Sequence, residues 1–90
     1  MPYLVTKELL DLRDQYDGDL GLLDEPWAAK EDRQQFSPEQ IGTLGEYLQQ
    51  MGLRKVDRLS PELRLQVDRR IAELELLIEP EALALLRARN

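Results

Sequence analysis

The clearest hydrophobic pattern in the chain begins near residue 38 and repeats every three or four positions. The residues on this stripe are Ile41, Leu44, Leu48 and Met51. Ser37 is suited to cap a helix that starts at this point, and Gln40 is suited to reach back and complete a capping box. Gly52 predicts a left-handed end. The pattern therefore predicts a helix over about 38–51.

The segment that follows Pro61 carries two apolar stripes at helical spacing. The first contains Leu63, Val67, Ile71, Leu74 and Ile78, and the second contains Leu65, Ala72 and Leu76. One helix over 61–78 accommodates both stripes. Two stripes fit a central helix that is covered on both sides, and they equally fit a helix that keeps one side for a partner.

The remaining segments are shorter. Thr6 is suited to cap a first helix, and Asp17 with Gly18 favours its end. The glycines and the proline that follow predict a loop, with a short helical turn over about 26–32, and Pro80 ends the preceding helix and begins another. The predicted fold is all-α: a small bundle with main helices at about 6–16, 38–51 and 61–78, a short C-terminal helix at 80–88, and a loop-rich segment at 17–36.

Charge is distributed unevenly along what we interpret as a single helical domain. The net charge is −6, and residues 1–32 contain nine acidic and three basic side chains. Residues 33–90 contain nine of each and are neutral. Any electrostatic attraction for a partner is therefore expected from the N-terminal third, and it favours a basic partner.

Composition argues against catalysis and against membrane insertion. The chain has no histidine and no cysteine, and its two serines, Ser37 and Ser60, are explained as helix caps. The acidic residues between Asp11 and Glu25 do not match the spacing of a calcium-binding loop. No apolar run approaches the roughly 18 residues that span a bilayer. We expect a cytoplasmic protein that is not an enzyme and has neither a metal nor another cofactor.

The composition and the surplus apolar positions together favour a non-catalytic adaptor or regulator. Such a protein would dock on a partner protein through an apolar helical face flanked by acidic residues. Trp27 is the only tryptophan and is interpreted either as a loop anchor or as a binding residue. The candidate partner-binding residues are Leu65, Leu76, Trp27, Leu22, Leu23, Asp17, Asp19 and Asp24. Tyr3 and Leu4 are expected to extend the patch formed by Leu22, Leu23 and Trp27.

Two other functions remain open at this point. The first is a homodimer in which helix 61–78 pairs with its twin. The second is nucleic-acid binding through the basic residues Arg54, Lys55, Arg58, Arg64, Arg69 and Arg70. The second is disfavoured because acidic residues interrupt the basic series. A nine-residue connection over 52–60 is also too long for a helix-turn-helix.

Overall fold

The computed structural model describes residues 3–89, and this part of the chain is all-α, as the sequence predicts. It contains five α-helices, Lys7–Gln15 (α1), Lys30–Gln35 (α2), Pro38–Arg54 (α3), Pro61–Glu75 (α4) and Pro80–Ala88 (α5), and a 3₁₀-helix at Leu20–Asp24. The segment predicted as loop-rich thus holds two short helices. The predicted helical turn at 26–32 forms instead at Lys30–Gln35, after the extended residue Ala29.

The predicted helix starts are confirmed by their hydrogen bonds. The Ser37 hydroxyl accepts from the Gln40 amide at 3.2 Å, while the Gln40 side chain accepts from the Ser37 amide at 2.9 Å. The Ser60 hydroxyl accepts from the Leu63 amide at 3.2 Å at the start of α4. Thr6 caps α1 in the same way, at 3.4 Å. These bonds satisfy amides that have no partner inside the helix.

The prediction that Gly52 ends α3 in a left-handed conformation is wrong. The helix continues to Arg54, and the Lys55 amide still donates to the Gly52 carbonyl at 3.2 Å. The connection to α4 is therefore 55–60, shorter than predicted. A left-handed end does follow α1: Asp17 and Gly18 have φ 56° and +81°, and the Gly18 amide donates to the Arg13 carbonyl at 2.8 Å.

The helix α4 ends at Glu75, three residues earlier than predicted. It ends there because the N-terminal segment before α1 pairs with residues 77–79. Val5 and Ile78 form a parallel bridge. The Leu77 carbonyl accepts from the amides of Leu4 and Val5, and the Glu79 amide donates to the Val5 carbonyl at 2.8 Å. These contacts replace helical hydrogen bonds ahead of Pro80 and join the N-terminal segment to the connection between α4 and α5.

The main core lies between α1, α3, α4 and α5. Its fully buried side chains include Val5, Leu9, Leu10, Leu44, Tyr47, Leu74, Ile78, Ala82 and Leu86. The predicted stripe of α4 is buried at Val67, Ile71 and Leu74, but Leu63 is 50% exposed. Leu63 lies in the first turn of α4, at the edge of a shallow cavity that it shares with Leu53 near the end of α3, so the core does not cover this end of the stripe.

The molecule exposes a large surface for its size. It measures 44 × 29 × 22 Å and exposes 6182 Å². A compact monomer of this mass is expected to expose roughly 5400 Å². The difference shows that this elongated fold leaves more of its surface exposed than a compact monomer of the same mass. Within residues 3–89, none of the helices combines the length and the apolar character needed to cross a membrane.

Candidate functional site

Two adjacent cavities lie between α3 and the segment that contains the 3₁₀-helix. Their volumes are about 270 and 370 Å³, and Leu20, Gly21 and Ile41 border both of them. We refer to the pair as the α3 groove and define it by Leu20, Leu23, Phe36, Ile41, Gly42, Leu44, Gly45 and Leu48. The lining of both cavities is mainly apolar, so water in the groove is readily displaced by an apolar side chain.

Two glycines keep the α3 groove open. Gly42 borders one cavity and Gly45 the other, and both are exposed. A Cβ atom added at either position would meet nothing within 4 Å. Each glycine inside a helix costs up to about 1 kcal/mol relative to alanine. The folded chain therefore does not require these glycines, and an alanine would fit at both positions.

Acidic residues border the groove on the side of the 3₁₀-helix. Asp19 and Asp24 each line one cavity, and the Asp19 carboxylate also accepts from the Gly21 amide at 2.9 Å. Asp17 lies in the turn just before them, with φ 56°. Arg13 and Arg33 border the same cavities and moderate the negative field. The arrangement brings all three predicted aspartates to one region.

Trp27 lies on the same segment and packs against Tyr16. The two rings are stacked with centroids 5.7 Å apart, and Trp27 is nevertheless 64% exposed. The Tyr16 hydroxyl donates to Asp32 at 2.6 Å, and this hydrogen bond raises the pKa of Tyr16. One face of the indole therefore contacts Tyr16, and much of the rest of the side chain is exposed. The Tyr16–Asp32 contact has no signature in the sequence.

Comparison of the chain with protein-family models, with curated proteins and with solved structures finds no match in any of the three. The α3 groove is therefore interpreted from its own geometry and charge.

The predicted patch of Tyr3, Leu4, Leu22, Leu23 and Trp27 does not assemble. Leu23 is 4% exposed and belongs to a small second core, and Leu22 is half-buried. Leu4 lies before α1, where its carbonyl accepts from the Gln40 side chain at 3.3 Å. Trp27 stacks beyond the opposite end of α1. Leu23 was predicted to be exposed because the sequence of the 3₁₀-helix does not indicate which of its apolar residues faces inward.

The other two predicted residues lie on a separate surface. Leu65 and Leu76 are 60% and 79% exposed. At 100° per residue they lie on the side of α4 opposite Leu74, which is buried against the rest of the bundle. The structure therefore divides the predicted binding residues between the groove region and the outer side of α4.

The basic series is largely engaged within the chain. Arg70 donates to both oxygens of Glu46 at 2.6 and 2.8 Å and to Glu73 at 2.9 Å. This pairing lowers the pKa of Glu46 and raises the pKa of Arg70. Arg54 contacts Asp68 at 3.2 Å, and Arg64 donates to two backbone carbonyls. At least three of the six basic groups are thus held by the chain itself, which leaves less charge for phosphates.

The one fully buried ionisable side chain of α3 has a structural role. Tyr47 donates its hydroxyl to Glu75 at 3.0 Å, and Arg87 donates to the same carboxylate oxygen at 3.1 Å. Burial, together with this hydrogen bond, raises the pKa of Tyr47 to about 12. The contact joins α3, α4 and α5. Among residues 3–89, no group of three or more acidic side chains is placed to hold a metal ion.

Proposed function

We propose that this chain is a small adaptor or regulator whose α3 groove binds a basic amphipathic helix of a partner protein. The observation that carries the proposal is the open apolar groove over Gly42 and Gly45, next to the acidic segment that contains Asp17, Asp19 and Asp24. Recognition of an amphipathic helix by an apolar groove is a common mode of peptide binding.

The dimensions of the groove fit a helix. Gly42 and Gly45 are three residues apart, about 4.5 Å along α3 at 1.5 Å per residue. The two glycines, one at each cavity, are therefore separated by slightly less than one helical turn. Apolar side chains three or four residues apart on a partner helix would fill one cavity each. The missing Cβ atoms let the partner approach the backbone of α3 closely.

Charge favours a basic partner over an acidic one. From Asp14 to Ala29 the sequence contains five acidic residues and no basic residue. Asp14 pairs with Arg89 at 2.9 Å. The other four, Asp17, Asp19, Asp24 and Glu25, form no ion pair within residues 3–89. Lysine or arginine residues along the edge of a partner helix would complement them and speed association at low salt.

The proposal is tested with a defined probe, a synthetic 18-residue helix of leucine and lysine, and with a matched helix of leucine and glutamate. Calorimetric titration at low salt is expected to detect binding of the lysine peptide and none of the glutamate peptide. Gly42→Leu and Gly45→Leu fill the cavities and are expected to weaken binding at least tenfold. Both variants should fold, because both positions are exposed and a Cβ atom at either one would meet nothing within 4 Å.

Gly52→Leu is the matched control for these variants. It makes the same change in the same helix, in equally open space, at a position outside the α3 groove. Binding to this variant is expected to equal that of the wild type. Equal affinity for both peptides, or equal loss in all three variants, would overturn the proposal, since neither result requires the groove.

A further inference from the structure

The outer side of α4 carries four residues at the spacing of a coiled-coil contact. Leu65, Arg69, Ala72 and Leu76 follow one another at intervals of four, three and four. At 100° per residue they fall within about 60° of one another. All four are exposed. We refer to them as the α4 outer face, and this face is distinct from the α3 groove.

Arg69 is the charged residue of this face, and it has no partner in the described chain. Arg54, Arg70, Arg87 and Arg89 form ion pairs within residues 3–89. Arg69 forms neither an ion pair nor a side-chain hydrogen bond in that range. An arginine in the middle of an apolar stripe is costly to cover unless the covering surface supplies a carboxylate.

We propose that the α4 outer face binds a second copy of this chain in an antiparallel arrangement, beyond the function proposed for the α3 groove. The face is self-complementary about its midpoint between residues 70 and 71. In that register Leu65 lies opposite the partner's Leu76, and the partner's Leu65 lies opposite Leu76. Arg69 lies across from the partner's Ala72, whose small side chain leaves room for the arginine stem.

Charge selects the antiparallel orientation. Around α4, Arg69 and Glu73 lie on the same side of the Leu65–Leu76 line. In an antiparallel pair related by a two-fold axis, the side of α4 that carries Arg69 faces the same side of the partner's α4. Arg69 and the partner's Glu73 then lie at nearly the same height along the helix axis, about one residue rise or 1.5 Å apart. Two symmetric ion pairs result. In a parallel pair the two copies of Arg69 would face each other and repel.

Glu73 remains available for this contact. Its carboxylate accepts from Arg70 at 2.9 Å, but it is 56% exposed and has a second oxygen. Arg70 is also held by Glu46, so it does not depend on Glu73. A carboxylate that already has one guanidinium partner can accept a second, and the network then links the two copies.

The size of the face predicts a weak dimer. From Leu65 to Leu76 the contact extends about 16 Å along α4. A helix face of this length buries roughly 600 to 800 Å² in total, less than the 1200 Å² or more of stable complexes. We therefore expect a dissociation constant on the order of 100 µM. The dimer would form at high protein concentration, or where a second contact between the two copies strengthens this one.

Disulfide crosslinking tests the register, because the chain contains no cysteine. Leu65→Cys and Leu76→Cys proteins are mixed at equal concentration in a glutathione redox buffer. The disulfide between the two different variants is expected to exceed the two symmetric disulfides together at least tenfold, whereas random collision would give equal amounts. Gln66→Cys, on the same helix but off this face, is the control for random collision. Predominance of either symmetric disulfide, or crosslinking no greater than the Gln66→Cys control, would overturn the proposal.

Sedimentation equilibrium to about 1 mM provides an independent test of the charges. Arg69→Glu places like charges opposite each other and is expected to abolish the dimer, while Arg69→Glu combined with Glu73→Arg restores it. Leu63→Ser removes an exposed leucine outside this face and should leave the dimer intact. A constant monomer mass for the wild type would end the proposal. Peptide binding at the α3 groove is measured separately, so either proposal can fail alone.

Discussion

The two parts of this bundle are stabilised to different degrees. In the body, α3 packs along α4, and the core includes side chains that are completely buried, such as Leu44 and Tyr47. In the segment 17–36, a smaller core consists of Leu23 and Ala28 against Leu12 and Tyr16 of the α1 region. The helix of this segment, α2, has no buried residue and no side-chain cap.

This difference indicates where the chain is free to adapt. Segments with few buried contacts open at lower free energy than the rest of the fold, and binding regions are commonly drawn from them. Here the less stable segment carries six of the twelve acidic residues that form no ion pair within residues 3–89, and it forms one wall of the α3 groove. The stable body forms the other wall. A partner helix would thus meet a rigid surface on α3 and an adjustable one opposite.

The largest contrast is expected from truncating one leucine in each part. Leu74→Ala leaves a cavity in the main core and is expected to lower the free energy of unfolding by about 3 to 5 kcal/mol. Leu23→Ala is expected to cost about half as much, because the short segment can collapse around the space. Urea denaturation measures both. Equal costs would contradict the division into a rigid and an adjustable part.

Alkaline pH is expected to destabilise the body through Tyr47. Its pKa is raised from 10.0 to about 12, mainly by burial, so the folded protein holds this proton more tightly than the unfolded chain does. The resulting stability is present below pH 10 and is lost as pH rises toward 12, by roughly 2 to 3 kcal/mol.

Denaturation curves between pH 9 and pH 12 measure this loss. Tyr47→Phe is the control: it removes the ionisable group and is expected to flatten the decline in this range. A decline of the same size in the Tyr47→Phe protein would assign it to other groups.

The body was easier to predict from sequence than the segment. The caps at Ser37 and Ser60 are local chemistry, so the starts of α3 and α4 followed from a few adjacent residues. The end of α4 did not, because it depends on pairing with Val5, more than seventy residues away. In the same way, the burial of Leu23 depends on a contact with α1 that no periodicity records.

The positions of the candidate binding residues in the fold were predicted in part. The aspartates, Leu65 and Leu76 are exposed as expected, but the sequence did not reveal that they occupy two separate surfaces. The α3 groove itself was missed. Its only signal was the pair Gly42 and Gly45 in a helical pattern, and glycine in a helix is also compatible with simple tolerance. The open space over both residues becomes apparent only once α3 and the 3₁₀-helix are placed together.

Loss of the cap on α3 is expected to have an intermediate effect. Ser37→Ala removes the hydroxyl that accepts from the Gln40 amide and should lower the free energy of unfolding by about 1 kcal/mol. The urea midpoint measures the change. Because α3 forms a wall of the groove and a wall of the main core, both parts should lose stability together. A loss of stability confined to the segment 17–36 would show that α3 does not stabilise both parts of the molecule.

The smallest expected change is a gain. Gly42→Ala and Gly45→Ala place a methyl group in open space and remove the entropic cost of glycine. Each is expected to raise the free energy of unfolding by about 0.5 to 1 kcal/mol, as thermal denaturation would show. Destabilisation by either variant would mean that the backbone at that position is more crowded than the structure indicates.

The most direct test of the account is to map, by two-dimensional amide NMR, where the leucine and lysine helix contacts the wild-type protein. Binding in the α3 groove predicts shift changes on both of its walls, at Leu20 and Gly21 on one side and at Gly42 and Gly45 on the other. Shift changes confined to the acidic segment, with α3 unaffected, would show that the binding is non-specific charge attraction and would contradict the proposed function.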